Sequence, residues 1–215
     1  MTDEIEQGTA EWHAQRCGKV TASRVCHIVA RTKSGYSAAR KNYLSELLIE
    51  RMTGVQEPGF TSKEMQWGKD CEADAVSAYE FYRNVDCTKV GFIDHPTIAM
   101  AGASPDRLVG ADGMIEIKCP NTATHIETLI SKRIDPDYVT QMMWQMACTG
   151  RKWCDFVSFD PRMPMHRRLF VKRVHRDPMA VVKAESEVKT FIEELEARII
   201  AVDRACDEDH LEAAE

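Results

Sequence analysis

The stretch Gly113-Met-Ile-Glu-Ile-Lys118 most narrows the folds open to this 215-residue chain. Apolar and charged side chains alternate along it with a period of two, the spacing of a strand in which residues i and i+2 share a face. Ile115 and Ile117 are therefore expected to turn to a core, while Glu116 and Lys118 project together from the opposite side. Just upstream, Gly110-Ala-Asp-Gly113 is a hairpin signal that returns the chain beside Arg107 to Val109 and brings Asp106 close. A short, ordered framework thus gathers two carboxylates and one ammonium.

Helical and strand-like segments alternate around this hairpin. Lys41 to Thr53, with Leu44, Leu47, Leu48 and Met52 at helical spacing and Gly54 as a stop, reads as a helix, and another runs from about Lys69 to Tyr82. Asp135 as cap, Pro136 in the first turn and Gly150 at the end mark a further one. The last, roughly Ala180 to Arg204, carries Val188, Phe191, Ile192, Leu195, Ile199 and Val202 on one stripe. Strand-like pieces are Val90 to Asp94, Ile98 to Ala101, Arg107 to Val109, Met114 to Lys118, Cys154 to Phe159 and Arg168 to Val174. This order predicts an α/β fold with a central mixed β-sheet flanked by helices. No repeat or linker divides it, so residues 1–205 are expected to form a single domain and 206–215 an acidic, frayed tail.

Neither a basic start followed by an apolar run nor an eighteen-residue apolar segment occurs, so a cytoplasmic protein without membrane contact is expected. The eight scattered cysteines include no CxxC pair and read as reduced thiols, with a zinc or iron–sulfur site as the alternative. The net charge of −6 argues against a nucleic-acid partner only until it is located. Residues 185–215 hold eleven acids against three Lys or Arg, leaving the remainder at +2. Within that remainder, residues 151–176 hold eight Lys or Arg against Asp155 and Asp160. This basic block is either a DNA-facing surface or a solvated strand face.

Pro105-Asp106, nine residues, then Glu116-Ile117-Lys118 is the PD-(D/E)xK pattern of metal-dependent nucleases. The residue types suit phosphodiester hydrolysis. Hard carboxylate oxygens hold Mg²⁺, which neutralises charge on the scissile phosphate and lowers the pKa of an attacking water. A nearby ammonium orients that water and adds positive charge to the transition state. Whether Lys118 also accepts the proton is open, because two adjacent carboxylates oppose its deprotonation. Taken alone the pattern is weak, and Glu116 with Lys118 would also make a surface pair. Glu72, on or beside an apolar helical stripe, is either metal-directed or a rim residue reaching solvent. Gln141 either faces a nucleophilic water or is a surface amide. Arg16 and Ser23 flank Gly18, and Thr21-Ala22-Ser23 is placed to cap a helix over Arg24 to Ala30; the pair reads as a phosphate site or as ordinary capping.

Six strings in one order, EWHAQRCGKVTAS, WGKDCEADA, ASPDRL, IEIKCP, TQMMWQM and FDPRM, resemble the lambda exonuclease family, also called the YqaJ-type viral recombinase nucleases. The resemblance runs from about Trp12 to Arg176. It implies a restriction-endonuclease-like core and a Mg²⁺-dependent 5′ to 3′ exonuclease, with Mn²⁺ as a substitute. Such an enzyme degrades one strand of linear double-stranded DNA and leaves a 3′ single-stranded overhang for phage-type recombination. The implied partners are duplex DNA ends, a homotrimeric ring of its own copies and a single-strand annealing protein, in the cytoplasm of a bacterial host.

Carried over by the resemblance, Asp106, Glu116 and the backbone carbonyl of Ile117 are metal ligands, and Lys118 is the catalytic lysine. Glu72 stands near the second metal position, directly or through water, and Gln141 beside the attacking water. Arg16, Ser23 and Ser104 match a grip on the 5′-terminal phosphate, and Lys33 a loop residue that wedges into the duplex. The chain departs from the pattern after Cys119-Pro120, where Thr124 stands in place of an arginine that completes the phosphate pocket; His125 and Arg133 are the candidates to stand in. The ring would line its channel with the basic block. Two other classes remain: an endonuclease on the same core, and a DNA-end-binding module without turnover.

Overall fold

The computed structural model describes residues 5–56 and 62–212. The first half runs α1 (Ala10–Arg16), β1 (Val20–Thr21), α2 (Val25–Val29), the hairpin β2 (Arg31–Thr32) and β3 (Gly35–Tyr36), α3 (Ala38–Thr53) and α4 (Lys63–Arg83). The chain continues through β4 (Cys87–Thr88), β5 (Ile93–Asp94), β6 (Ala101–Ala103), β7 (Arg107–Val109), β8 (Gly113–Lys118), α5 (Thr122–Ser131) and α6 (Pro136–Thr149). It closes with β9 (Trp153–Phe159), β10 (Leu169–His175) and α7 (Pro178–Glu212). The main sheet has the order β10-β9-β8-β7-β4, and β1-β6-β5 form a second one. Both are mixed, since β8 pairs β9 and β1 pairs β6 in parallel while the other neighbours are antiparallel. The expected mixed sheet flanked by helices is therefore present.

Both faces of β8 are covered, because helices pack on each side of the sheet. Ile115 and Ile117 join Ala75 and Tyr79 of α4, with Val157 and Phe159, on one side. Met114 joins Met142 and Met146 of α6, with Phe156 and Phe170, on the other. The Glu116 face is thus roofed by α6, and Glu116 is only 2% exposed. A third cluster, including Tyr43, Leu44, Trp144, Val188 and Phe191, seats α3 and α7 against the other side of α6.

Capping chemistry fixes the ends of the expected helices. Asp135 accepts from the Asp137 N–H and Gly150 closes α6 at φ 71°. Ser37 caps α3, and Gly54 ends it at φ 67°. Elsewhere the boundaries differ from expectation. Met100 adopts φ 57°, which turns the chain, so strand pairing begins at Ala101 and the piece expected from Ile98 is a turn. Helix α5 was not expected from its threonines and histidine; Asn121 caps it, and buried His125 locks it down through bonds to Ser158 Oγ (2.8 Å) and the Arg167 carbonyl (2.9 Å). Helix α7 continues to Glu212 rather than stopping near Arg204, since residues 205–212 contain neither Gly nor Pro. Residues 213–215 of the expected frayed tail lie outside the described residues. Among the described residues no helix is long and apolar enough to cross a membrane.

The basic block serves largely to hold this framework. Arg173 grips buried Asp155 across the β9–β10 ladder at 2.8 and 2.9 Å, and Arg162 grips buried Asp160 at 2.8 and 2.9 Å. Burial acts to raise the Asp160 pKa, but hydrogen bonds from Arg162 and Thr122 outweigh it and hold the carboxyl at about 2. Arg151 donates to the carbonyls of Gly110 and Gly113, Arg168 to that of Met163 and Lys172 to that of Lys132. Only Arg167 and Arg176 of the block have side chains without such a partner among the described residues. Most of the block's side chains thus have partners within the fold.

Gly113 sits opposite Trp153 in the parallel ladder, and a Cβ there would lie 2.0 Å from the indole ring. The same ring stacks on the Arg173 guanidinium at 3.5 Å, so it has little freedom to yield. Gly113→Ala is expected to destabilise the fold by about 1–3 kcal/mol through overpacking. A thermal melt checks this, since each kcal/mol lowers the midpoint of a chain this size by about 2–4 °C.

Candidate active site

The register of β7 and β8 builds the centre of the site. Arg107 lies opposite Ile115, so continuing the ladder by one place sets Asp106 level with Glu116. Side chains directly opposite one another share a face, and Lys118 joins them two residues on. Pairing with β7 has ended by this point, and Asp106 completes the edge: its Oδ2 accepts the Ile117 N–H at 2.6 Å. The N–H and C=O of one extended residue point to the same side, so the Ile117 carbonyl opens toward Asp106 as well.

Glu116 is held from three directions. Lys118 Nζ reaches its Oε1 at 2.6 Å and Gln141 Nε2 donates to the same oxygen at 2.8 Å. Gln145 Nε2 donates to Oε2 at 2.6 Å. The surface-pair alternative for Glu116 and Lys118 is excluded by burial, and Gln141 is bonded to the carboxylate rather than to solvent. Tyr138 underlies the ammonium, with Nζ 4.7 Å from the ring centroid.

The electrostatics follow from two acids sharing a buried space with one base. Burial, then the Glu116 charge, push the Asp106 carboxyl well above the usual carboxylate range, against the pull of Lys118 and the Ile117 N–H. For Lys118 burial works downward, but Glu116 and Asp106 together outweigh it and hold the ammonium above its ordinary value. In the metal-free protein the two carboxylates thus favour the protonated form of Lys118. Beside it, burial and the neighbouring Cys71, Glu72 and Asp106 push the Cys119 thiol up to about 12, which leaves it protonated and unreactive.

A divalent cation fits this donor set: two anionic oxygens and an outward-opening carbonyl, with a net charge of −1 when both acids are ionised. Glu72 stands differently. Its carboxylate pairs with Arg107 Nη1 at 2.9 Å and is about a third exposed, next to Asp106 rather than facing Glu116. Among the described residues no group of three or more His, Cys, Asp or Glu side chains gathers at metal-binding distance. A cation here would have Asp106, Glu116 and the Ile117 carbonyl as its donors, with the Glu72 carboxylate already paired to Arg107.

Gln141 also opens onto a second feature, a cavity of about 170 Å³ lined by Gln7, Trp12, Arg16, Ser23 and Ser104. The three residues expected to grip a terminal phosphate thus converge one glutamine away from Glu116. Arg16 stacks on Trp12 at 3.8 Å, and its buried Nε has no partner among the described residues. Ser104 Oγ accepts from Trp12 Nε1 at 3.0 Å. Neither Thr21 nor Ser23 caps the following turn or helix through its side chain, contrary to expectation, so the Ser23 hydroxyl remains available. Lys33 lies between β2 and β3 at the tip of an exposed hairpin.

The departure at Thr124 is not repaired by its neighbours. His125 is fully buried with both ring nitrogens engaged, and cannot reach the cavity. Thr124 and Arg133 line a separate open groove with Tyr138 and Lys172. Three residues were missed by sequence reasoning: Gln145, Trp12 and Gln7, whose Nε2 ties the N-terminal segment to the Pro105 carbonyl at 2.8 Å. Of these only Gln145 left a signal, as an amide one turn from Gln141 within an otherwise apolar run.

Residues 11–152 match the YqaJ-like viral recombinase domain family. Among solved structures the chain is similar to an alkaline exonuclease (LHK-Exo) from Laribacter hongkongensis, with 49% identity and a TM-score of 0.87, over 93% of this chain and 99% of that one. The structure of LHK-Exo in complex with dAMP gives the same identity and coverage and a TM-score of 0.88. A phage related exonuclease from Haemophilus somnus 129PT shares the fold at 18% identity and a TM-score of 0.71, over 86% and 96% of the two chains. No curated protein sequence matches the chain. The shared architecture is the restriction-endonuclease-like one.

Proposed function

Because the chain belongs to the YqaJ-like viral recombinase domain family, we propose that it is a DNA exonuclease that resects one strand of a linear duplex in the 5′ to 3′ direction. The observation that carries this reading is the convergence of Asp106, buried Glu116 and Lys118 on one face of a strand hairpin, with Gln141 linking it to the Arg16 cavity. Asp106, Glu116 and the Ile117 carbonyl hold Mg²⁺, or Mn²⁺ in its place, with Glu72 nearby in the outer position. The ion supplies positive charge to the scissile phosphate and makes the attacking water more acidic.

The chain's own groups do the rest. Lys118 donates to the developing phosphorane oxygens. Gln141 holds the Glu116 carboxylate on the side facing the cavity. Arg16, Ser23 and Ser104 receive the 5′-terminal phosphate, a role supported by an unpartnered buried guanidinium N–H beside two hydroxyls. The terminal nucleotide then lies between two anchored phosphates, which sets the cut one nucleotide from the end. Lys33, on its exposed hairpin, faces the duplex as a wedge. A homotrimeric ring around DNA, a single-strand annealing partner for the 3′ overhang and a bacterial cytoplasmic site of action complete the proposal.

A time course on linear duplex bearing a 5′-phosphate at one end tests it. With Mg²⁺, loss of nucleotides from the phosphorylated 5′ strand is expected, and none with a chelator. Cutting of a closed circle would replace this reading with an endonuclease. Arg16→Gln is expected to keep hydrolysis while lowering the preference for phosphorylated ends by about tenfold to a hundredfold, the scale of one or two lost charge-assisted hydrogen bonds.

A further inference from the structure

Gln141 and Gln145 stand one turn apart on α6 and each donates to a different oxygen of Glu116. Oε1 has Lys118 as a second partner, but Gln145 is the only partner of Oε2 among the described residues. The terminal torsion of a glutamate is broad, so one bonded oxygen leaves the carboxylate plane free to rotate and two define it. Gln145 is fully buried between Trp144 and Met146, and its own Oε1 has no donor among the described residues. An acceptor buried without a partner lowers stability, and an apolar side chain like its neighbours would avoid that cost. Turning the amide over would set Oε1 against the Glu116 carboxylate, so the orientation is dictated by the acid. The amide is also neutral: unlike Lys118 it orients Glu116 without cancelling its charge.

We propose that Gln145 is a positioning residue that locks the Glu116 carboxylate plane for engagement of a divalent cation, an inference that rests on the reading of Glu116 as a ligand. It makes no contact with substrate and acts through Glu116 alone. The test is calorimetric titration of the full chain with Mn²⁺ in the absence of DNA. Gln145→Met, close in size, is expected to weaken Mn²⁺ binding about tenfold to a hundredfold, the usual effect of losing an outer partner of a ligand. On duplex DNA kcat should fall in parallel with KM unchanged. In a Glu116→Gln background the same substitution should change Mn²⁺ affinity less than about twofold, because the group it acts through is gone.

Undiminished Mn²⁺ affinity in Q145M, or an equal loss in both backgrounds, would overturn the assignment and make Gln145 a packing element. Unchanged Mn²⁺ affinity in the Glu116→Gln protein would instead sink the ligand reading itself, so the two failures are distinct. Should Q145M lose its cooperative melt, Gln145→Leu takes its place. That variant likewise removes the donor to Oε2, and wild-type Mn²⁺ affinity in it would also end the proposal.

Discussion

Glu116→Gln is expected to lower the rate of duplex hydrolysis by about a thousandfold or more, equivalent to about 4 kcal/mol of lost transition-state stabilisation. The substitution keeps the shape of the side chain and removes its charge. That charge is half of the anionic pair at the centre of the site, and its loss removes the partner of Lys118 at 2.6 Å. Folding should survive. Desolvation and then the neighbouring Glu116 charge push Asp106 upward, so a neutral residue relieves the repulsion between the two acids and leaves Asp106 to balance Lys118. Single-turnover gel kinetics at saturating enzyme, beside a thermal melt, separate the two effects. A rate within tenfold of the wild type would remove Glu116 from the chemistry.

Lys118→Met should slow hydrolysis by about a hundredfold to a thousandfold, the scale of losing a preorganised donor to the transition state. It differs from the first variant in a second observable. Removing the ammonium leaves Asp106 and Glu116 without their shared counter-charge, so the metal-free protein is expected to melt lower and to regain stability when Mg²⁺ is added. Cation affinity should stay level or rise, because a positive charge has left the site, whereas in the Glu116 variant it falls. Loss of cation affinity in Lys118→Met would show that the lysine organises the carboxylates rather than the reaction.

The core of the site was legible because it is local. Asp106, Glu116 and Lys118 lie within thirteen residues of one another, and the period-two pattern, the Gly110–Gly113 turn and the strand register follow from contacts between near neighbours in sequence. Likewise the end of α3 and both ends of α6 were readable from Gly54, Asp135 and Gly150, whose side chains or backbone freedom act within one turn, whereas α3 begins at Ala38 under a Ser37 cap, three residues before the expected Lys41. Helix α5 escaped because its stability comes from His125 bonded to Ser158 and to the backbone of Arg167, groups that local propensity does not register.

Charge placement shows the same division from the other side. Eight Lys or Arg in residues 151–176 read as a basic stripe when counted along the chain. In the folded protein Arg173 and Arg162 neutralise buried Asp155 and Asp160, and three others are bound to backbone carbonyls. An Arg side chain carries the same charge in a ladder as on a DNA surface, so the count alone does not distinguish the two.

The sequence by itself determined the mixed α/β fold class, the hairpin and the gathering of Asp106, Glu116 and Lys118, since each rests on periodicities and turn residues that act over a few positions. Only the tertiary structure decided who holds whom: Gln145 on Glu116 across 29 residues, Arg107 on Glu72 across 35 and Trp12 on Ser104 across 92. Long polar side chains have many possible partners in the unfolded chain. Packing α6 and α4 on opposite faces of the main sheet and α1 beside β6 narrows that choice to the partners seen, and sets the geometry in which the carboxylates sit.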